Sequence, residues 1–358
     1  MSDKAAVFFS RVTEDESPDN VCAKVAGLYD RVGFGKLFAK GDLVAVKTHF
    51  GEDGNQTHIP AAFQAPVIAK TKELGGKPFW AETNTLYPGR RSNAVSHIEL
   101  AHEHGFSIEA TGAPVIIADG VTGREEVLVR IDGRHSKEVG IAPGVAAADA
   151  LLVLSHATGH LACGFGGTIK NIGMGLSSRR GKLYQHSVVK PEVKAHKCRG
   201  DGACVKWCPE DAISMVNDKA IIDSKKCIGC GECIAACRPG AVSFQWKIES
   251  RLLQERMAEQ ALGVLKNKQG HIGFLIFIMS VTKDCDCLAS RQGDVLVKSI
   301  GIAASLDPVA LDHATVSLIE QALGAGIRTK AYDIDYLPQL KHAEALGMGS
   351  CSYDLVVV

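Results

Sequence analysis

Hydrophobic positions in the first 190 residues follow two periodicities that alternate along the chain. Short apolar runs typical of buried strands occur at 5–9, 42–50, 77–82, 113–119 and 150–157. Apolar residues at helical spacing separate several of these runs, over 18–32, 61–74 and 92–104. This alternation predicts an α/β fold with a mixed or parallel sheet covered by helices on both faces.

The pattern breaks at about residue 190 and resumes after a cysteine-rich stretch. An amphipathic helix is predicted over 249–270, strands at 272–280 and 299–304, a helix from 308 to about 323, and a last strand in YDLVVV. Asp307 and Pro308 read as the N-cap and first position of that second helix. We therefore predict one α/β domain formed by 1–190 and 246–358, interrupted by a small α+β ferredoxin-like domain at 191–245, because surface loops tolerate insertions.

Composition adds mainly exclusions. The 358 residues are 46% hydrophobic and 22% charged, with a formal net charge of zero, which argues against nucleic acid or an anionic membrane as the main partner. The first residues lack the apolar stretch of a signal peptide, and the apolar run at 272–281 is about half of what spans a bilayer. We expect a cytoplasmic protein without membrane insertion.

Seven of the twelve cysteines crowd into the predicted insert, in two copies of one pattern. The first copy places Cys198, Asp201, Cys204 and Cys208 at the ligand offsets of a bacterial-type iron–sulfur run, and Pro209 follows. The second copy, 29 residues later, consists of Cys227, Cys230, Cys233 and Cys237. Clustered cysteines at short fixed spacing favour metal over disulfides in a reducing compartment.

In two-cluster ferredoxins the fourth cysteine of each run binds the other cluster. One predicted [4Fe–4S] site is therefore Cys227, Cys230, Cys233 and Cys208; the other is Cys198, Cys204 and Cys237, with Asp201 at the fourth position. Asp201 in a tight Gly-Asp-Gly turn leaves three possibilities open: aspartate ligation, a [3Fe–4S] cluster, or an exogenous fourth ligand. Zinc is the alternative to iron, but the duplicated spacing favours iron–sulfur.

Two polar groups in the α/β part are candidates for a ligand site. Lys47, Thr48 and His49 lie at the carboxyl end of a predicted strand, where open α/β sheets bind ligands. The second group begins with His156 at a strand end and continues with His160, Gly164, Gly166, Gly167, Lys170 and Asn171. A glycine-rich loop leading into a helix predicts backbone N–H groups exposed to a phosphate or carboxylate, with Lys170 adding positive charge.

Each candidate has a purely structural alternative. A histidine at a strand end is more often a hydrogen-bonding residue than a ligand, and His156 and His160 share a face only if Gly159 is helical. Cys163 is expected to be a small buried hydrophobe. Cys285 and Cys287 would point the same way in an extended segment, which suits a metal site or a redox pair.

These residues resemble the DUF362 family, a family without an established reaction, and specifically its members with an inserted two-cluster ferredoxin domain. The resemblance rests on VAVKTHFGEDGNQTH, GGKPFWAETNTLYPGRRSNAVSH, GAPVIIADG, LSHATGHLACGFGGTIKNIGMGLSSRRGKLYQHS, DCDC and DPVALDHA, and runs over nearly the whole chain. It implies an interrupted α/β architecture and [4Fe–4S] binding at the matching cysteines. Many members have eight insert cysteines, and Asp201 departs from that pattern.

The leading hypothesis is an iron–sulfur oxidoreductase that passes electrons from a soluble redox donor to a small anionic substrate or cofactor. The catalytic candidates are His49, His156, His160 and Lys170, and the cofactor-binding candidates are Lys47, Thr48, the three glycines and Asn171. Histidine would supply protons near neutral pH. The alternatives are an electron carrier without catalysis, and a protein that binds a further metal through histidines and Cys285 or Cys287.

Overall fold

The computed structural model describes residues 4–187, 190–244, 249–291 and 294–358, so the predicted boundary between 245 and 246 lies outside the described residues. Within them the strands are β1 Ala5–Arg11, β2 Leu43–Lys47, β3 Lys77–Glu82, β4 Val115–Ile117, β5 Val127–Arg130, β6 Glu138–Ile141, β7 Ala150–His156, β8 Thr158–His160, β9 Gly164–Gly166, β10 Glu192–Val193, β11 Ile213–Val216, β12 Lys219–Ile222, β13 Val242–Ser243, β14 Ile272–Thr282, β15 Val295–Ser305 and β16 Tyr353–Val357. The helices are α1 Pro18–Val32, α2 Ala61–Glu73, α3 Ala94–Glu103, α4 Ile108–Thr111, α5 Pro143–Ala146, α6 Thr168–Gly173, α7 Arg179–His186, α8 Ala203–Lys206, α9 Glu232–Ala236, α10 Ser250–Asn267, α11 Pro308–Leu323, α12 Ile327–Lys330 and α13 Leu337–Ala345.

Eight strands form one central sheet in the order β16-β1-β15-β14-β7-β2-β3-β4. Strand β15 pairs antiparallel with both β1 and β14, whereas the other pairs in this sheet are parallel. The predicted α/β class with a mixed sheet is confirmed. Among the described residues, no helix combines the length and the apolar character that crossing a membrane requires.

Alternation along the central strands divides the core between the two faces of the sheet. Ala45 and Leu151 belong to one hydrophobic cluster, which α6, α10, α11 and α13 cover. Val46 and Leu152 belong to the other, which α1, α2 and α3 cover. Because the side chains of a strand point alternately to opposite faces, strands buried on both faces read as continuous apolar runs.

Local signals place several helix ends where the sequence predicts them. Ser17 accepts a hydrogen bond from the N–H of Asn20 at the start of α1, and Gly33 ends that helix with φ of 81°. The Asp307 carboxylate accepts from the N–H groups of Val309 and Ala310, so the predicted N-cap of α11 is confirmed. The hairpin β5–β6 and helix α13 are absent from the predictions, because β5 is largely exposed and α13 has only nine residues.

Residues 190–244 contribute no strand to the central sheet. They form the pairs β10–β13 and β11–β12, the helices α8 and α9, and a third hydrophobic cluster that includes Leu86 and Leu183 of the α/β part. Buried Glu232 pairs with the guanidinium of Arg179 at 2.9 Å and with that of Arg124 at 3.2 Å. The segment therefore packs on the α/β part through an apolar patch and a buried ion pair, while the division into two domains stays a prediction.

Glu232→Ala should loosen this packing. The substitution leaves the buried Arg179 guanidinium without its carboxylate, and removal of one partner of a buried ion pair typically costs about 3–5 kcal/mol. We expect limited proteolysis to cut within 190–244 at lower protease concentration than in the wild type. Glu210→Ala, which changes an exposed glutamate of the same segment, should leave the cleavage pattern unchanged; equal sensitivity of the two variants would contradict the assignment.

Candidate functional site

The cysteines of the two repeats line two separate cavities, and the membership is crossed. Cys208 from the first repeat lines one cavity together with Cys227, Cys230 and Cys233. Cys237 from the second repeat lines the other together with Cys198, Cys204 and Asp201. The residues that line each cavity are thus the same four that the cysteine spacing assigns to one predicted cluster.

The two repeats have the same backbone course. Gly200 and Gly202 have φ of 74° and 68°, and Gly229 and Gly231 have φ of 71° and 78°, a left-handed conformation that glycine adopts without strain. Asp201 lies between the first two glycines as Cys230 lies between the second two. Asp201 therefore holds the position in the first repeat that Cys230 holds in the second, and its Oδ1 accepts a hydrogen bond of 3.1 Å from the N–H of Ala203.

Backbone amides also meet the crossing cysteines in the same way. The N–H of Ala212 donates to Cys208 Sγ at 3.2 Å, and the N–H of Ala241 donates to Cys237 Sγ at 3.2 Å. In each repeat the donor lies four residues after the cysteine. Such hydrogen bonds stabilise negative charge on sulfur, which suits a metal-bound thiolate.

The spread of the sulfur atoms bears on the choice between zinc and iron. A tetrahedral zinc ion with Zn–S bonds of about 2.3 Å needs sulfurs about 3.8 Å apart. Among the described residues, no three ligand atoms of either set lie within 4.8 Å of one another. Neither set therefore has the close spacing that a single zinc ion needs.

A second site lies at the carboxyl ends of β2, β3 and β7. Lys47 forms a buried ion pair of 3.0 Å with Glu82 and donates hydrogen bonds to the Thr48 carbonyl at 2.8 Å and to Asn171 Oδ1 at 2.7 Å. These three acceptors use the three protons of the ammonium group. Lys47, Thr48 and Asn171 were all predicted to contact a cofactor. In the structure the Lys47 ammonium instead binds Glu82, the Thr48 carbonyl and the Asn171 side chain.

Arg91 connects this ion pair to His49. Its guanidinium contacts Glu52 at 3.1 Å, the hydroxyl of Tyr87 at 2.6 Å and His49 Nε2 at 3.0 Å. The other ring nitrogen of His49 accepts from the N–H of Gly51 at 2.9 Å. Burial, with the charges of Arg91, Lys47 and Lys170, holds the pKa of His49 well below its usual value of 6.5, so the ring is neutral at neutral pH.

His156 is in the opposite state. Its Nδ1 lies 2.8 Å from Asp286 Oδ2 and its Nε2 lies 2.7 Å from the Met279 carbonyl, so both ring nitrogens face acceptors. Burial works against the charge on His156, but the Asp286 carboxylate and these hydrogen bonds outweigh burial and raise the pKa of His156. For Asp286 burial is likewise outweighed by His156, His58 and Lys170, which lower the pKa of the carboxyl. The pair is ionic.

Asp286 lies between Cys285 and Cys287, which are joined by a disulfide. The two sulfurs meet in a turn and not in the extended segment that the prediction assumed, since the N–H of Leu288 donates to the Cys285 carbonyl at 3.0 Å. The Cys287 carbonyl accepts a hydrogen bond of 3.3 Å from the Tyr87 hydroxyl, which links the disulfide segment to Arg91 and Glu52. Asp286 Oδ1 is buried and has no hydrogen-bond partner within the described part of the chain.

The glycine-rich loop differs from its prediction. The N–H groups of Thr168 and Ile169 at the start of α6 donate to the buried Asp312 carboxylate, at 2.6 and 2.9 Å. The amides that the sequence predicts for an external anion are therefore already bound by an internal one. Residues Gly164 and Gly166 belong to β9, and Gly167 precedes α6.

Lys170 remains available after these contacts are assigned. Its ammonium has no hydrogen bond or ion pair within 4–187, 190–244, 249–291 and 294–358, and burial lowers its pKa despite attraction to Asp286. His160 lies nearby, accepts from the N–H groups of Ala162 and Cys163 at 3.1 Å, and has a pKa well below 6.5 because of burial and Lys170. His156 and His160 end different strands, so they do not share a helix face.

Several residues of this site escaped sequence analysis. Glu82 ends a predicted strand beside that of Lys47 and could have been found by the same rule. Arg91 and Tyr87 lie in a loop whose path no periodicity reveals. Asp312 lies within a helical pattern, and only the tertiary fold brings its carboxylate to α6. Cys163 is buried, as expected.

The fold and site define a mixed α/β protein in which a cysteine-rich segment is inserted, in sequence, between strands β7 and β14 of the central sheet. The profile of a family described as "Domain of unknown function (DUF362)" matches residues 44–317, and the chain belongs to this family. No curated protein matches the chain. A crystal structure of a Thermotoga maritima protein covers 89% of the chain at 10% identity with a TM-score of 0.45, and the chain spans 60% of that protein. The lactate racemase apoprotein from Thermoanaerobacterium thermosaccharolyticum covers 99% of the chain at 10% identity with a TM-score of 0.40, and the chain covers 83% of it.

Asp286→Asn should reverse the charge state of His156. Without the carboxylate, burial outweighs the remaining backbone hydrogen bonds of His156, and its pKa falls below 6.5. In the wild type the raised pKa adds stability that is complete below pH 6.5 and is lost as pH rises through the folded pKa; in the variant the unfolding free energy should instead rise with pH below 6.5. Histidine NMR titrations and denaturant unfolding at several pH values measure both.

Asp284→Asn provides the matched control for this titration. Asp284 lies two residues away and accepts from the Tyr332 hydroxyl at 2.6 Å, with no contact to His156. It should retain the raised pKa of His156. A titration of His156 that is identical in wild type and Asp286→Asn contradicts the assigned ion pair.

Proposed function

We propose that the chain is an iron–sulfur oxidoreductase whose residues 191–245 hold two clusters and whose α/β part binds a small anionic electron acceptor. The observation that carries the proposal is the crossed membership of the two cysteine cavities. Crossed sets at this repeated cysteine spacing are the arrangement on which two-cluster ferredoxins are built. The donor would be a soluble one-electron carrier.

The ligands divide into a complete and an incomplete set. Cys208, Cys227, Cys230 and Cys233 offer four thiolates. Cys198, Cys204 and Cys237 offer three, with Asp201 in the place of the fourth. When bound, iron–sulfur clusters supply one-electron transfer. A carboxylate is a harder ligand than a thiolate, so the incomplete set should hold its fourth iron less firmly.

Contacts around Glu232 support a connection between the two parts. Glu232 follows Gly231 of the complete set's cavity and pairs with Arg179. Arg179 donates to the Thr85 carbonyl at 3.1 Å, and the N–H of Thr85 donates to the Arg91 carbonyl at 2.9 Å. The complete set is thus joined to the His49 site through a few buried polar residues.

The charge balance of the α/β site favours an anionic ligand. Lys47, Arg91 and His156 are each paired with a carboxylate, from Glu82, Glu52 and Asp286 respectively. Lys170 is the remaining cation among the described residues of the site, and an unpaired charge at a partly buried position is costly. A carboxylate or phosphate group would pair with it and restore its pKa.

Proton supply falls to a single histidine of the three predicted. His49 and His160 are neutral at neutral pH, whereas His156 carries a proton held by Asp286. A reduction that consumes protons can draw one from His156 and leave the Asp286 charge in place. In the reverse reaction the proton returns to His156 by the same path.

The Cys285–Cys287 disulfide favours a second candidate, in which the disulfide is itself the electron acceptor. Two electrons and two protons would cleave the S–S bond and leave two thiols. The donor would again be a soluble one-electron carrier, used twice. His156 and Asp286 lie beside the bond and could deliver a proton to the leaving sulfur. A further metal on these two cysteines would require the reduced form.

Iron analysis and electron paramagnetic resonance of anaerobically purified protein test the clusters. We expect about eight iron per chain, or about seven if the incomplete set holds [3Fe–4S]. Because the sets are crossed, Cys208→Ser should perturb the signal that Cys230→Ser perturbs, and Cys237→Ser the signal that Cys198→Ser perturbs. Cys22→Ser, outside both cavities, should change neither. Pairing of effects by repeat, or zinc in place of iron, would overturn the proposal.

Lys170→Met tests the anion site separately. Removing an unpaired, partly buried charge should raise the melting temperature of ligand-free protein by a few degrees while abolishing stabilisation by added anions. Inorganic phosphate and pyruvate serve as probes in thermal unfolding, with Lys72→Met, whose ammonium donates to the Gly112 carbonyl, as control. Equal stabilisation of Lys170→Met and wild type by both probes argues against an anion at this position.

A further inference from the structure

A group of histidines and glutamates gathers around α10 and shares no residue with either site described above. Glu255 and Glu259 lie one turn apart on the same face of α10, and both side chains are buried. His135 comes from the β5–β6 loop and His342 from α13. Three elements distant in sequence thus bring two imidazoles to two carboxylates.

The distances within this group are those of a nearly formed metal site. One ligand atom each from His135, Glu259 and His342 lies within 4.8 Å of the others, and His342 Nε2 is 3.2 Å from Glu259 Oε1. Zinc bonds to imidazole nitrogen and carboxylate oxygen are about 2.0–2.2 Å long, so a modest closure brings all three into contact with one ion. Among the described residues this is the one such group.

Glu255 completes the arrangement from behind. Its Oε2 lies 2.6 Å from His135 Nε2, and metal-binding histidines usually donate their second ring N–H to a carboxylate in this way. Glu255 also contacts Arg251 at 2.8 Å and Arg134 at 3.5 Å, so its charge is already shared. Glu259 is the better metal ligand of the two glutamates. Within the described residues its carboxylate accepts from the backbone N–H groups of His135 and Ser136 and contacts the His342 ring, but it pairs with no arginine.

We propose that His135, Glu259 and His342 bind one divalent transition-metal ion, with Glu255 orienting His135. Two imidazoles and one carboxylate are the donor set of many zinc and non-haem iron(II) sites. The His135 and His342 side chains are 19% and 12% exposed, whereas that of Glu259 is 1% exposed, so an ion can enter from solvent onto a fixed carboxylate. The site is independent of the proposed function, because it shares no residue with the cysteine cavities or the Lys170 site.

The metal would stabilise the packing of the two helices that flank the cysteine-rich segment. Helix α7 precedes that segment and α10 follows it. The Tyr184 hydroxyl of α7 donates to the His135 carbonyl at 2.6 Å, and the Arg256 guanidinium of α10 lies 4.1 Å from the Tyr184 ring. An ion bound by His135, α10 and α13 would therefore restrain both helices that flank the cysteine-rich segment: α10 directly, and α7 through the contact of Tyr184 with His135.

Zinc binding to iron-loaded, full-length protein tests this site. Equilibrium dialysis against Zn²⁺ under anaerobic conditions, followed by metal analysis, should give one zinc more per chain for wild type than for His342→Ala or His135→Ala, at equal iron content. Zinc should raise the melting temperature of the wild type but not of these variants. Glu255→Gln should bind zinc about 10–100-fold more weakly, as expected for a residue that orients a ligand.

His313→Ala is the matched control, because His313 is a partly buried helix residue whose ring hydrogen-bonds to the Cys351 carbonyl and lies edge-on to the Tyr353 ring. It should bind as much zinc as the wild type. Circular dichroism without metal identifies any variant that fails to fold, and the second histidine variant then decides. Equal zinc content in wild type and a folded His342→Ala or His135→Ala overturns the proposal.

Discussion

The buried ion pair between Lys47 and Glu82 is the constraint on which the α/β site depends. Burying both charges costs several kcal/mol per ion, so the pair is stable only if every remaining donor is satisfied. Asn171 meets this need and ties the pair to β7, because its Nδ2 donates to the Leu154 carbonyl at 2.9 Å. The carboxyl ends of β2, β3 and β7 and helix α6 are thereby held together, and with them His49 and Lys170.

The same low-polarity surroundings assign different charge states to chemically identical side chains. His49, His160 and His186 have lowered pKa values, for His186 about 4, because burial and the positive charge of Lys170 act on all three rings. His156 has a raised pKa because Asp286 is in contact. An anion on Lys170 would remove one positive charge from this neighbourhood, so its binding would raise the pKa of His49 and His160. Binding of such an anion and protonation of these histidines would therefore be coupled.

Sequence analysis was strongest where a local pattern is sufficient. Periodicity predicted α1 and α11 with their observed bounds, and the repeated cysteine spacing indicated which cysteines share a cavity. It failed where a residue acts through tertiary contacts: Asp312 binds the α6 amides from α11, and Arg91 reaches His49 from a loop. The group of His135, Glu259 and His342 could not be predicted from the sequence either, because more than 80 residues separate each member from the next and only the tertiary fold brings them together.

The packing of the cysteine-rich segment distinguishes the set that contains Asp201 from the all-cysteine set. The complete cysteine set lies against the α/β part, since a Cβ at Gly231 would meet Leu86 at 2.6 Å and Glu232 pairs with Arg179. Both cavities are lined by residues of the segment alone, and the Asp201 side chain is exposed. In the proposed function the all-cysteine set, which adjoins Leu86 and Arg179, is therefore the one beside the acceptor. An exposed carboxylate keeps its contact with water, which offsets the cost of placing its charge beside a cluster.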